Sequence, residues 1–265
     1  MSDGALAARL AELRAARRPA LIPYITAGYP DPEATTAFLR GAAGAGADVV
    51  ELGVPWSDPV ADGPTIQAST HAALQGGTTL ARTLELLAGA RTAVPIVVFT
   101  YLNPVLARGA ARFAADAKGA GASGLLVTDL PVGADDAVER DLRSAGLPLV
   151  RLVAPTTPTA RRRAIAERSE GFLYLIARLG VTGESGELSG TLGAQVASLR
   201  AVSALPIAVG FGISSPAQAA AVADVADGVV IGSAVVSRMA RGGAAEALAW
   251  LATVRAALDG RRARA

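Results

Sequence analysis

The segment Asp48–Val54 reads DVVELGV, a short run that, after its opening aspartate, is apolar at successive positions apart from one glutamate. Apolar residues in succession, rather than in alternation, indicate a strand covered on both faces, as parallel strands are when crossover helices pack over them. Seven further segments have the same character. They are Ala20–Ala27 (ALIPYITA), Pro95–Leu102 (PIVVFTYL), Gly124–Leu130 (GLLVTDL), Leu147–Ala154 (LPLVRLVA), Gly171–Arg178 (GFLYLIAR), Pro206–Phe211 (PIAVGF) and Gly228–Val235 (GVVIGSAV). Each is bounded by turn residues, which sets eight candidate strands along the chain.

The intervening stretches carry helix grammar. Asp31-Pro32-Glu33 combines an N-cap, a first-turn proline and an early acid, and Ser215-Pro216 repeats the cap-then-proline order. Thr78–Ala90 reads as another helix, and Ala5–Ala16 as an extra amphipathic helix before the first strand. Eight strands alternating with helices, and no linker-like stretch, predict one (β/α)8 barrel domain over residues 1–265. A doubly wound open sheet is the competing arrangement.

Composition narrows the function. Of 265 residues, 51% are hydrophobic and 18% charged, which excludes intrinsic disorder. Lys and Arg total 25 against 23 Asp and Glu, a balance too even for a nucleic-acid surface; the Arg161–Arg163 cluster reads as a solvated face. With no cysteine there is no disulfide framework, thiolate metal site or cysteine nucleophile, and the one histidine, His71, makes a Ser-His-Asp triad and a His-rich metal site improbable. No apolar run approaches the roughly 18 residues of a membrane span, and the first residues lack a signal-peptide pattern. The expectation is a cytoplasmic protein that binds neither membrane nor metal.

In a barrel, chemistry gathers at the carboxyl ends of the strands. Glu51 stands within an apolar strand, where a carboxylate needs a partner or a task, and apolar surroundings raise its pKa toward the range of acid–base work. Its structural alternative is a wet strand end. Asp62 follows eleven residues later in GVPWSDPVADGP; alone it reads as turn chemistry, but with Glu51 it can face a shared site, and carboxylates in unlike environments divide acid and base roles. Asp129 is a third rim carboxylate, with a turn-forming Asp before Pro131 as the plainer reading. Glycines recur in Gly180–Gly183, Gly210-Phe211-Gly212 and Gly232-Ser233, letting backbone N–H groups approach an oxyanion. Ser233 opens a helix whose N-terminus favours a phosphate at strands seven and eight. Tyr24, Tyr101, Tyr174 and Phe211 fall near strand ends, where they wall a pocket for a flat ring or pack the core.

These motifs, ELGVPWSDPVADGPTIQ (Glu51–Gln67) above all, with LIPYITAGYP, YLNPV, DLPV, GVTG, VGFGIS and IGSA around it, resemble the tryptophan synthase α chain from about Leu21 to Met239. The resemblance implies a barrel that cleaves indole-3-glycerol phosphate to indole and glyceraldehyde 3-phosphate. It implies that Glu51 protonates indole C3 and helps move a glycerol hydroxyl proton, and that Asp62 meets the indole N–H. It implies substrate and lid positions at Tyr174, Thr182 and Gly183, and a phosphate site at Gly212, Gly232 and Ser233. It further implies an α2β2 heterotetramer in which the β chain carries pyridoxal phosphate and receives indole, with no cofactor in this chain. Trp56 stands where that family more often has Phe or Tyr, in a loop expected to face the partner. A stand-alone lyase releasing free indole would carry the same motif block.

Overall fold

The computed structural model describes residues 4–176, 190–210 and 212–260. The path begins α1 (Ala5–Ala15), β1 (Ala20–Thr26), α2 (Pro32–Gly41), β2 (Val50–Gly53), α3 (Pro64–Gln75), α4 (Leu80–Ala90) and β3 (Ile96–Thr100). It continues α5 (Leu102–Arg108), α6 (Ala110–Gly119), β4 (Gly124–Val127), α7 (Asp136–Arg143), β5 (Leu149–Val153) and α8 (Thr159–Glu167). It ends β6 (Leu173–Ile176), α9 (Gly190–Arg200), β7 (Ile207–Gly210), α10 (Pro216–Val222), β8 (Gly228–Ile231) and α11 (Ser233–Gly260). All eight strands pair in parallel in chain order, and β1 pairs with β8, so the sheet closes. That closure excludes the open-sheet alternative.

Alternation along each strand divides the side chains into two layers. Outward residues such as Leu21, Val50, Leu52, Ile96, Val98 and Leu125 pack under the helices. Inward residues such as Ile22, Val49, Val97, Leu126, Val150, Phe172, Ala208 and Val230 fill the barrel. Both layers are apolar, which is why the runs look continuous in sequence. Leu6, Leu10 and Leu13 of α1 join the inner layer and plug its amino end. The buried Asp48 carboxylate fixes that plug, accepting from Arg9 at 2.6 Å, from Arg255 at 3.2 Å and from the Leu21 N–H at 2.9 Å. Such a buried charge is tolerable because every side of it is partnered.

The anticipated caps are present, Asp31 accepting from the Ala34 N–H and Ser215 from that of Gln218, and the structure adds Thr79, which accepts from the Arg82 N–H at the start of α4. The strands are shorter than the apolar runs that announce them, in two cases because a helix begins inside the run. The Pro95–Leu102 run ends as a strand at Thr100, because Leu102 opens α5, and a proline in a first helical turn costs no hydrogen bond. The last three residues of Gly228–Val235 belong to α11, and Val235 is apolar because it is buried there. Gly242 and Gly243 break α11 with non-helical backbone angles. Among the described residues no helix is long and apolar enough to cross a membrane.

Candidate active site

The inner layer does not continue apolar to the carboxyl end. Two residues beyond Val49, on the same inward face, comes Glu51, paired in register with Tyr24 on β1 and Val97 on β3. Above the filled layers lies a cavity of about 340 Å³, walled by Tyr24, Glu51, Phe99, Leu152 and Tyr174 from the strands and by Asp62 from the loop after β2. Gly212, Ser214, Gly232 and Ser233 close its far side.

Two glycines make room for this wall. A Cβ on Gly53 would lie 2.1 Å from the Tyr24 hydroxyl, and one on Gly210 would lie 2.5 Å from that of Tyr174. Tyr24 is further held edge-on against Phe99, with ring centroids 5.2 Å apart. Gly53→Ala is therefore expected to force the Tyr24 ring out of place, costing about 1–3 kcal/mol of stability by urea unfolding. An unchanged unfolding midpoint would show that the ring yields freely.

The two carboxylates sit in different environments. Glu51 is 1% exposed, and among the described residues its Oε1 has no hydrogen-bond partner. Burial pushes its carboxyl up from 4.5 to about 8. An uncompensated carboxyl in such a place holds its proton at neutral pH. Asp62 is less enclosed. Burial pushes it up from 3.8 to about 6, against the lowering effect of the Tyr101 hydroxyl, which donates to Asp62 Oδ2 at 3.0 Å. The Tyr101 oxygen in turn accepts from the Ala61 N–H at 3.1 Å. One buried phenol thus holds the loop and its carboxylate together. Near neutrality the cavity offers one protonated and one ionised carboxyl, the division that acid–base chemistry requires.

The opposite side is suited to an anion. Gly232 O accepts the first helical bonds of α11 from Val235 and Val236, so the N–H groups of Ser233 and Ala234 have no acceptor within the helix. Both residues line the cavity, as does Gly212, whose φ of +76° suits a residue without Cβ. Among the described residues no Lys or Arg lines the cavity, and what these residues offer an anion is backbone donors and the helix dipole.

Tyr24, Glu51, Asp62, Tyr174, Gly212, Gly232 and Ser233 are thus brought to one cavity. Tyr101 is off the wall and reaches the site through Asp62. Asp129, expected at the rim, is exposed and outside the lining; its Oδ1 accepts from the Leu102 N–H at 2.6 Å. There it lies in the turn after β4, the plainer of its two readings, and satisfies the first N–H of α5. Thr182, Gly183 and Phe211 lie outside the described residues. Phe99, Thr128, Leu152 and Ile176 also line the cavity; the first three stand two residues beyond a filled inner position and Ile176 two beyond Tyr174, a signal that strand register would have exposed. Ile66, Ile213 and Ser214 had no comparable signal.

Residues 10–258 match the family model described as the tryptophan synthase alpha chain. The chain belongs to this family. Membership makes it an enzyme of the carbon–carbon lyase class. It is 47% identical to the tryptophan synthase alpha chain of Laribacter hongkongensis, over 95% of this chain and 97% of the relative. It is 49% identical to that of a Picosynechococcus species, over 91% and 92%. The crystal structure of tryptophan synthase subunit alpha from Legionella pneumophila superposes with a TM-score of 0.89 at 36% identity, covering 98% of this chain and 99% of that one. Mycobacterium tuberculosis tryptophan synthase gives a TM-score of 0.85 at 38% identity, covering 96% and 97%. The alpha-chain family fold therefore extends over the whole barrel.

Proposed function

We propose that this chain cleaves indole-3-glycerol phosphate to indole and glyceraldehyde 3-phosphate. The observation that carries the reading is the pair of unlike carboxyls, Glu51 and Asp62, in one cavity that ends at the N-terminus of α11. The Glu51 acid gives its proton to indole C3, leaving positive charge on the ring nitrogen opposite ionised Asp62. The bond from C3 to the glycerol carbon then breaks, its electron pair restores the aromatic ring, and the carbinol hydroxyl proton leaves to Glu51 as the aldehyde forms. Glu51 ends with the proton it began with, so the step balances without an added reactant. The phosphate sits against Gly212, Gly232, Ser233 and the α11 dipole. Gly232 and the rings of Tyr24, Phe99 and Tyr174 leave a flat slot for the indole.

A β chain is the proposed recipient of the indole, in an α2β2 assembly in the cytoplasm, with pyridoxal phosphate on that partner. Support lies in the loop after β2. It carries Asp62 and also Val60, 82% exposed beside Trp56, Pro59 and His71. A partner covering this patch, where Trp56, Pro59 and Val60 stand among Ser57, Asp58, Gln67 and His71, would also hold the catalytic loop.

The test is indole release from indole-3-glycerol phosphate by the purified chain, alone and with a β chain, across pH. Turnover should rise strongly with the partner. Asp62 must be ionised, so kcat/KM rises through about pH 6, and Glu51 must be protonated, so it falls through about pH 8. Fast turnover indifferent to a β chain would indicate a stand-alone lyase, and no indole under either condition would remove the reading.

A further inference from the structure

A chain of three buried hydroxyls runs behind the cavity wall. Tyr24 Oη lies 3.4 Å from Thr26 Oγ1, Thr26 Oγ1 lies 2.7 Å from Ser69 Oγ, and Ser69 Oγ lies 2.8 Å from the carbonyl oxygen of Ile66. Thr26 and Ser69 are 1% and 0% exposed and Tyr24 is 7% exposed, so bulk water does not satisfy these groups. A carbonyl can only accept. The Ser69 hydrogen therefore goes to Ile66, the Thr26 hydrogen to Ser69 and the Tyr24 hydrogen to Thr26. This is the one direction in which the Tyr24–Thr26, Thr26–Ser69 and Ser69–Ile66 contacts are all hydrogen bonds. Reversing it gives up the Ile66 bond and the one hydrogen bond that the Tyr24 hydroxyl makes among the described residues, turning its hydrogen into the cavity instead, and buried polar groups keep the bonds within their reach.

We propose that Thr26 and Ser69 are positioning residues that hold the Tyr24 hydrogen turned away from Glu51 and Asp62, so that Tyr24 faces the cavity as a hydrogen-bond acceptor. The assignment rests on the lyase reading for its use, because that reaction needs Glu51 to keep its proton and the cavity wall to offer the substrate an acceptor. A phenol that donated to a carboxylate would stabilise its ionised form. With its hydrogen held behind the wall, Tyr24 leaves Asp62 with the Tyr101 donor and leaves Glu51 undisturbed. Its exposed lone pairs instead accept from a hydroxyl or N–H of whatever fills the cavity. The groups facing Tyr24 from neighbouring elements are Glu51 on β2, Asp62 on the loop after it, Tyr101 after β3 and Tyr174 on β6; of the carboxylates, Asp62 acts on the phenol more strongly than Glu51 does.

Thr26→Val keeps the side-chain shape and removes the acceptor, freeing the Tyr24 hydrogen to turn toward Asp62. Ser69→Ala achieves the same one link further back, since Thr26 then donates to Tyr24. Each variant should lower the Asp62 titration by about one pH unit, read from carboxyl-carbon NMR with the Asp62 signal assigned by its loss in Asp62→Asn. In a Tyr24→Phe background neither substitution should shift it further. No shift in either single variant would overturn the proposal. So would an equal shift in the Tyr24→Phe background, which would mark a merely structural role. The titration needs no turnover, so a chain that released no indole would remove the lyase reading and still decide the direction of the hydroxyl chain.

Discussion

Glu51→Gln is expected to lower indole release by about 10³-fold, within the span of general acid–base contributions, and to stabilise the fold at alkaline pH. Glutamine matches the side chain in volume and cannot carry the proton. The stability effect follows from the raised titration. In the folded chain Glu51 loses its proton near 8, and in the unfolded chain near 4.5. Its favourable contribution is therefore complete below about 4.5, falls as pH rises through the interval, and is gone above about 8. Glutamine escapes that loss. Urea unfolding at pH 5 should barely separate the two proteins, while at pH 8.5 the variant should be ahead by roughly 2–4 kcal/mol. Parallel pH dependence in both proteins would mean that Glu51 is not the group buried with its proton. Retention of most wild-type turnover would remove it from the mechanism. The same residue thus weakens the barrel and performs its chemistry, because an isolated carboxyl in an apolar floor is useful for the reason that it is costly.

Much of this arrangement was legible in the chain because barrel strands announce themselves twice. Runs such as IVVFT and GLLV are apolar on both faces, and the cap residues Asp31 and Ser215 mark where helices resume. Glu51 stood out for the opposite reason, as a charge in a place made for valine. Residues whose function depends on register did not stand out. Phe99 and Leu152 look like any other core residue until the alternation from Val97 and Val150 shows that they cap the filled layers and floor the cavity. Asp129 could be read two ways because an aspartate before a proline serves equally as a turn residue, and only its place outside the cavity wall and the 2.6 Å bond from the Leu102 N–H separate the two uses. Tyr101 was singled out as a wall for a ring, yet what matters is its hydroxyl, which joins Ala61 and Asp62, a three-residue relation spread over 40 positions that no local pattern encodes. The polarity of the Tyr24–Thr26–Ser69 chain is more remote still, since it depends on a helix carbonyl at Ile66.

Asp62→Asn should cost about 10²-fold or more in kcat/KM at pH 7, because the amide cannot balance positive charge developing on the indole nitrogen and its N–H groups would oppose it. The loss should be largest above pH 6, where wild-type Asp62 is ionised, and the rise through about pH 6 should disappear from the profile. Tyr101→Phe separates charge from placement. It removes the donor that lowers the Asp62 carboxyl, so the rise should move upward by about half to one pH unit. Near pH 8 the wild-type and Tyr101→Phe proteins should approach one another, provided the Ala61–Asp62 loop keeps its path without the phenolic anchor. Deep loss of activity at every pH in Tyr101→Phe, with an unshifted limb, would assign Tyr101 to holding the loop and not to tuning the carboxylate. An Asp62→Asn profile that still rose through pH 6 would assign that limb to another group. Because Asn preserves shape and Phe preserves the ring, the pair asks of this loop whether its contribution is a charge or a position, and the unlike environments of Glu51 and Asp62 argue that it is a charge.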